Sequence, residues 1–331
     1  MTWRRGYDQA RRAAAARKKP LLILFQEVPG CGTCVAYGQG VLSHPLIVEA
    51  AESLFLPLAV YNNIEGPDRT TLQSFGEKTW NNPVVRIVSP EGRALAPRVA
   101  DDYTVGGLAA AMVAALKQHD QTVPMYLDLL AVEETARRRG LERATLAMHC
   151  FWEGEAHLGR VPGVIKTRPG FLNDLEVVEA EFDPAVIDYA ALLKLADRKN
   201  CAAQVFTRSA GQQRTAEELV GPRAVRDDQA IRVDQTPKYY LAQTPLRHLP
   251  LTELQATRVN AALQPGGPAP TEADAFRRFL SPRQLALLEK IERHPHADWP
   301  VAIGRGNLID TWRRAEVVAR SIDKSSAASN R

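Results

Sequence analysis

Residues 21–34 read Leu21-Leu22-Ile23-Leu24-Phe25-Gln26-Glu27-Val28-Pro29-Gly30-Cys31-Gly32-Thr33-Cys34. Five apolar residues closed by Gln26 and Glu27 have the length and composition of a buried strand. Val28-Pro29-Gly30 is turn chemistry, and a helical stretch to about residue 42 follows. The cysteine pair therefore falls between the end of a strand and the start of a helix. A cysteine there faces unpaired amide N–H groups and the positive end of the helix dipole, both of which favour thiolate over thiol. Cys34, one turn further on, is placed to attack a mixed disulfide formed at Cys31. No second C-x-x-C and no Cys/His pair at zinc spacing follows, which favours redox chemistry over half a zinc site.

Working outward, residues 3–18 are rich in Ala and Arg and predict a helix. Downstream come a helix from Ser43-His44-Pro45 to residue 54, a strand over 55–61, a helix over 68–75 and a loop over 76–82. A strand over 83–88, a turn at 90–92, a second short strand and a helix over 104–118 complete the segment. Strand, helix, strand, helix, hairpin and final helix is the thioredoxin order, so residues 1–120 are expected to be a thioredoxin-like domain. That fold places a cis-proline beside the cysteine pair, and Pro83 after Asn82 is the candidate, a lining residue of the site.

The chain has 331 residues, 45% of them hydrophobic and 24% charged, with a net charge of +4, which suits two globular domains and an appendage. Arg137, Arg138 and Arg139 sit beside Glu133 and Glu134 and read as a solvated helix face, so nucleic acid is not an expected partner. No apolar stretch reaches the length of a membrane span, and the run at 21–25 is too short for a signal-peptide core. A cytoplasmic location without membrane association is expected. Four cysteines do not make a disulfide framework in a chain of this length.

Residues 119–124 end in Pro124 and read as a linker. Beyond it the sequence predicts a helix over 125–139, a strand over 144–148, a helix to about 158 and strands over 164–167 and 175–182. A helix over 186–196, a strand over 201–207 and a helix over 214–220 follow. Strand, helix, two strands, helix, strand is a split, ferredoxin-like α/β sandwich, assigned to 125–262. Cys150 repeats the situation of Cys31, heading a helix at a strand end, and the same thiolate argument applies. Phe151 and Trp152 directly after it form an apolar wall suited to a methyl thioether, or else plain core.

Two resemblances rest on these residues. Val28-Pro29-Gly30-Cys31-Gly32-Thr33-Cys34 resembles the motif of the VPGUxT family of thioredoxin-like (seleno)proteins. Selenocysteine can stand at the position of Cys31 in that family, which implies that Cys31 is the attacking group. Gly30 and Thr33 stand where ordinary thioredoxins have Trp and Pro. Cys150-Phe151-Trp152-Glu153-Gly154-Glu155, with Val161-Pro162-Gly163-Val164 after it, resembles the active-site signature of methionine sulfoxide reductase A. Glu176-Val177-Val178-Glu179-Ala180-Glu181-Phe182-Asp183-Pro184 and Pro237-Lys238-Tyr239-Tyr240-Leu241 resemble two later segments of that family. The resemblance spans roughly 145–245.

The departures shape the expected chemistry. His149 replaces a Gly before the cysteine, and Gly170-Phe171 replaces a Gly-Tyr pair, which leaves Phe171 in the pocket without a hydroxyl. The short stretch Leu172-Asn173-Asp174-Leu175 reads as the remnant of a longer loop whose acidic proton donor is gone, with Glu155 or Asp174 as substitutes. Cys201 reads as standing on a strand in place of a second pocket tyrosine, facing Cys150. Methionine-S-sulfoxide turnover is accordingly expected to be weak.

The resulting expectation is a thiol-disulfide oxidoreductase with no cofactor, acting on a small-molecule or peptide substrate with an oxidised sulfur, or on a peroxide-like one. Cys150 is its nucleophile, Cys201 its resolver, and Cys31 with Cys34 supply electrons from a cellular thiol reductant. The alternatives are a soft-metal or chalcogen binder using Cys150, Cys201 and His149, and a non-catalytic redox sensor. A Pro/Gly linker at 264–271 opens a helical C-terminal extension over 263–331, with Trp299 and Trp312 docking it and a frayed tail over 321–331.

Overall fold

The computed structural model describes residues 1–80, 83–265, 275–304 and 307–329. The chain divides into two compact units, Met1–Thr135 and Ala136–Arg331. In the first, α1 (Tyr7–Arg17) leads to β1 (Leu21–Gln26), then α2 (Gly32–Gly40), α3 (Pro45–Leu54), β2 (Leu56–Tyr61), α4 (Pro67–Ser74), β3 (Val84–Val88) and α5 (Val105–Gln118). β1 is the middle strand of three, parallel to β2 and antiparallel to β3. A strand with neighbours on both edges and cover on both faces has to be apolar throughout. Leu21 to Phe25 are all buried, with Leu21, Ile23 and Phe25 packed against Ala10, Ala14, Leu58 and Leu72. This is the expected thioredoxin fold.

Two local expectations shift. Residue Arg4 pairs with Leu58 on the outer edge of β2, so the first helix begins only after Gly6, at Tyr7. The second strand of the hairpin is reduced to two bridges, Val88 with Ala94 and Val85 with Val99. Pro97 lies between them and has no N–H to donate, which interrupts a ladder.

The helix α6 (Met125–Arg139) follows, and the division between the units falls inside it rather than at residues 120–125. The second unit then runs β4 (Glu142–Ala147), α7 (Phe151–Gly159), β5 (Val164–Leu172), β6 (Leu175–Phe182), α8 (Tyr189–Arg198), β7 (Gln204–Thr207), α9 (Ala210–Val220), β8 (Ala224–Arg226) and β9 (Arg232–Val233). The sheet order is β8-β7-β4-β6-β5-β9, whose central four strands are the ferredoxin-like arrangement. Alternate residues Ala144, Leu146 and Met148 on one strand and Val178, Ala180 and Phe182 on its neighbour form the core with Leu158, Leu192 and Leu193. The segment Leu172-Asn173-Asp174-Leu175 is a tight hairpin, with Leu172 paired to Leu175 and both turn residues at positive φ, 49° and 61°. That geometry matches the twist of the strands it joins.

The C-terminal part belongs to the second unit. It comprises α10 (Tyr239–Ala242), α11 (Glu253–Ala262), α12 (Pro282–Arg293) and α13 (Leu308–Ser329). Thr252 with Gln255 and Ser281 with Gln284 form capping boxes on α11 and α12, and the two glutamine amides bond each other at 2.9 and 3.0 Å. Trp299 and Trp312 are buried. Most of the linker at 264–271 lies outside the described residues. The polar stretch expected as a tail is helical as far as Ser329, within α13.

Candidate active site

In the first unit Cys31 is the N-cap of α2, and its sulfur accepts from the Cys34 amide at 3.4 Å. The two sulfurs stand 3.1 Å apart. Gly30 makes this approach possible, since a Cβ there would lie 3.0 Å from the Cys34 Cβ. Hydrogen bonding from the Cys34 thiol, and from the amides of Cys34 and Thr33, pulls the Cys31 pKa below the ordinary cysteine value. Burial, and the neighbouring Cys31, push that of Cys34 up. The pair is thus polarised, with thiolate favoured at the half-exposed sulfur and thiol at the buried one. Asn63 holds the preceding loop through both polar groups of Val28, at 3.1 and 2.9 Å. The cis peptide among the described residues is Val28–Pro29. Pro83 is buried at the head of β3, but the Asn82–Pro83 bond expected to be cis lies outside the described residues.

Iodoacetamide labelling followed by peptide mass spectrometry should rank Cys31 far above Cys34. Because the thiolate is the nucleophile, the Cys31 rate rises with pH and levels off below the range of an ordinary cysteine. Equal rates at the two positions would remove the polarity assigned to the pair.

In the second unit Cys150 is half-buried and is the N-cap of α7. Gly154 lets the helix settle on the end of β4, since a Cβ there would stand 1.7 Å from the Met148 sulfur. The helix N-terminus is met by a carboxylate: Glu176 Oε2 accepts from the Phe151 amide at 2.9 Å. Glu176 also receives the Met148 amide on its backbone carbonyl at 3.0 Å, which fixes the strand beside the cysteine. An acid therefore stands against the residue that follows Cys150, carried by the strand β6 rather than by the shortened loop. The two substitutes stand in different surroundings. Asp174 is in the hairpin turn, and Glu155 is fully buried and bonded to Lys238, Thr167 and Asn260.

Phe151 and Trp152, which follow the cysteine directly, belong to an aromatic cluster. Phe151 meets Phe171 edge-on at 5.3 Å, and the Arg232 guanidinium covers Phe171 from 4.3 Å. Trp152 stacks on Tyr239 at 3.9 Å with 12° between the planes, and Tyr239 meets Tyr240 edge-on at 5.5 Å. Burial, then the charges of Glu153 and Cys150, raise the Tyr240 pKa and keep its hydroxyl a neutral donor. α10 thus brings Tyr240 within electrostatic reach of Cys150.

Cys201 is not on a strand. It lies in the loop before β7, where its amide bonds Ala196 O at 2.9 Å and its thiol donates to Lys199 O at 3.4 Å. It is 3% exposed and part of the core, and burial followed by the Glu153 charge pushes its pKa up to about 11. Cys150 is among the charges that act on it, so the two thiols share one neighbourhood. His149 points outward and is exposed. Among the described residues no three His, Cys, Asp or Glu side chains are grouped to hold a metal, so Cys150, Cys201 and His149, the alternative metal set, do not form such a group.

The sequence held a signal for Glu176. It shares strand parity with Val178, Ala180 and Phe182, the core face under α7, whereas Glu179 and Glu181 have the opposite parity. An acid on that face, at the end where Cys150 emerges, has to point at the helix terminus.

Residues 2–90 match the model of a thioredoxin-like family, Thioredoxin_7. The chain is also similar to peptide methionine sulfoxide reductases MsrA. It is 36% identical over 75 residues to that of Methanoculleus marisnigri, covering 18% of this chain and 46% of the relative. It is 41% identical over 66 residues to that of Nitrobacter winogradskyi, covering 16% and 37%. With that of Rhodospirillum centenum it shares 31% over 137 residues, covering 34% and 62%. The chain spans less than half the length of the first two relatives. Among the described residues no helix is long and apolar enough to cross a membrane.

Proposed function

We propose that this chain is a thiol-dependent oxidoreductase that reduces a methyl sulfoxide at Cys150 with electrons delivered by Cys31 and Cys34. The observation that carries the reading is the Glu176 carboxylate at the N-terminus of the Cys150 helix, with the neutral Tyr240 hydroxyl on the same site. The Glu176 carboxylate takes up a proton from solvent as the substrate binds, the Cys150 thiolate attacks the sulfoxide sulfur, and Glu176 passes that proton to the oxygen. The S–O bond breaks, the oxygen passes to Cys150 as a sulfenic acid, and the thioether leaves. Sulfur in the substrate is reduced by two electrons and Cys150 is oxidised by two. Phe151, Trp152 and Phe171 supply an apolar surface for the methyl group, and the similarity to MsrA proteins supports methionine sulfoxide as the substrate class.

Recovery needs a thiolate. With its pKa pushed up to about 11 by burial, Cys201 is held as the thiol near neutral pH. Cys31, with its pKa lowered, is the better attacking group, and the likeness to the VPGUxT motif supports that role. The Cys31 thiolate attacks the Cys150 sulfenic sulfur, the S–O bond breaks, and the departing hydroxide takes a proton from solvent to leave as water. The Cys34 thiol, as it loses its proton, attacks the Cys31 sulfur and frees Cys150. An external thiol reductant restores the resulting Cys31–Cys34 disulfide.

Turnover of methionine-S-sulfoxide with dithiothreitol tests the assignment. Cys150→Ser should abolish it, and Cys201→Ser should leave it within a few-fold of the unaltered protein. Activity in Cys150→Ser would remove the nucleophile, and a loss in Cys201→Ser as deep as in Cys150→Ser would reinstate Cys201 as the resolver.

A further inference from the structure

Lys238 and Glu155 form a buried ion pair, 3% and 1% exposed. The Lys238 ammonium donates to Glu155 Oε1 at 2.9 Å, Thr167 O at 2.6 Å and Thr167 Oγ1 at 2.8 Å, so all three of its protons are placed. Glu155 also accepts from the Lys238 amide at 3.0 Å, from the Thr167 hydroxyl at 3.1 Å and from Asn260 Nδ2 at 3.4 Å. Asn260 in turn accepts from the Leu241 amide at 3.1 Å. A buried pair of this kind contributes little net stability, because desolvation opposes the attraction. Its effect is on position. α10 has four residues, too few to hold its own shape, and it starts from Lys238 in the left-handed conformation at φ 59°. The network grips that short helix at the amides of Lys238 and Leu241, and the two residues between them are Tyr239 and Tyr240.

We propose that the Lys238–Glu155 pair is a positioning device that sets Tyr239 against Trp152 and Tyr240 toward Cys150. This rests on the sulfoxide-reductase reading for its catalytic consequence, but the placement of the two rings does not. Lys238 and Glu155 touch no substrate. They act through the tyrosines, so loss of either should have the effect of losing the wall.

The test is a double-mutant cycle of Lys238→Met and Tyr239→Ala in the full chain, at a temperature where every variant is folded. Each single variant should lose about tenfold in kcat/KM for methionine-S-sulfoxide, and the double variant should be within about twofold of the worse single one. Each should also lose the near-ultraviolet circular dichroism band that Trp152→Phe removes, which reports the stacked pair without any turnover. Multiplicative losses, or a Lys238→Met variant that keeps both the band and the activity, would overturn the proposal. If Lys238→Met does not fold, Thr167→Val removes one bond to each partner and keeps the ion pair, and it should shift the band and kcat/KM in the same direction. Absence of turnover in the unaltered protein would refute the reductase reading while the band still decides the positioning.

Discussion

Glu176→Gln should lower kcat for methionine-S-sulfoxide by about a hundredfold or more, the usual contribution of a placed general acid. The substitution separates chemistry from structure. A glutamine oxygen can still accept from the Phe151 amide that Glu176 now holds at 2.9 Å, so the helix end keeps its cap. What the amide cannot do is give up a proton as the S–O bond breaks. Thermal stability and the rate of Cys150 alkylation should therefore stay near those of the unaltered protein while turnover falls. Glu155→Gln is the informative contrast. Glu155 is enclosed by Lys238, Thr167 and Asn260, so its loss should act on the folded state and on the tyrosine wall rather than on proton transfer. A Glu176→Gln variant with full turnover would show that the proton comes from elsewhere.

Cys34→Ser should stop the cycle after about one sulfoxide per chain and accumulate a Cys31–Cys150 mixed disulfide. The polarised pair explains the site of arrest. Cys31 has the lowered pKa and forms the link, whereas Cys34, buried and raised, serves only to break it. Non-reducing peptide mapping reads the link directly. A Cys150–Cys201 peptide in its place would mean that the core thiol ionises more readily than burial and Glu153 allow.

The strand at 21–26, the cysteine-headed helices and the split sandwich were legible because each rests on local pattern. Apolar runs, turn residues and helix starts are written in consecutive residues. Phe151 and Trp152 were likewise found as wall residues because they follow Cys150 directly. What stayed hidden depends on register across strands and on segments distant in the chain. Glu176 looked like one of three acids on a strand until the hairpin at Asn173 and Asp174 fixed which face it takes. Reading Leu172–Leu175 only as a shortened loop concealed that the turn delivers Glu176 to the Cys150 helix. Cys201 falls inside the expected strand over 201–207, but the strand begins only at Gln204, and that offset of three residues leaves Cys201 as a core loop thiol. Tyr239 and Tyr240 lie some 90 residues after Cys150, and the short helix that bears them is tied to α7 by a buried ion pair that no spacing rule foretells.

The count of thioethers formed without any added reductant tests the coupling of the two cysteine sites most directly. A fully reduced chain mixed with excess methionine-S-sulfoxide should release about two equivalents of methionine, one oxidising the Cys31–Cys34 pair and one left as oxidised Cys150. Cys31→Ser should release about one under the same conditions. A burst of one equivalent from the unaltered chain, unchanged by Cys31→Ser, would contradict electron delivery from Cys31 and Cys34 to Cys150.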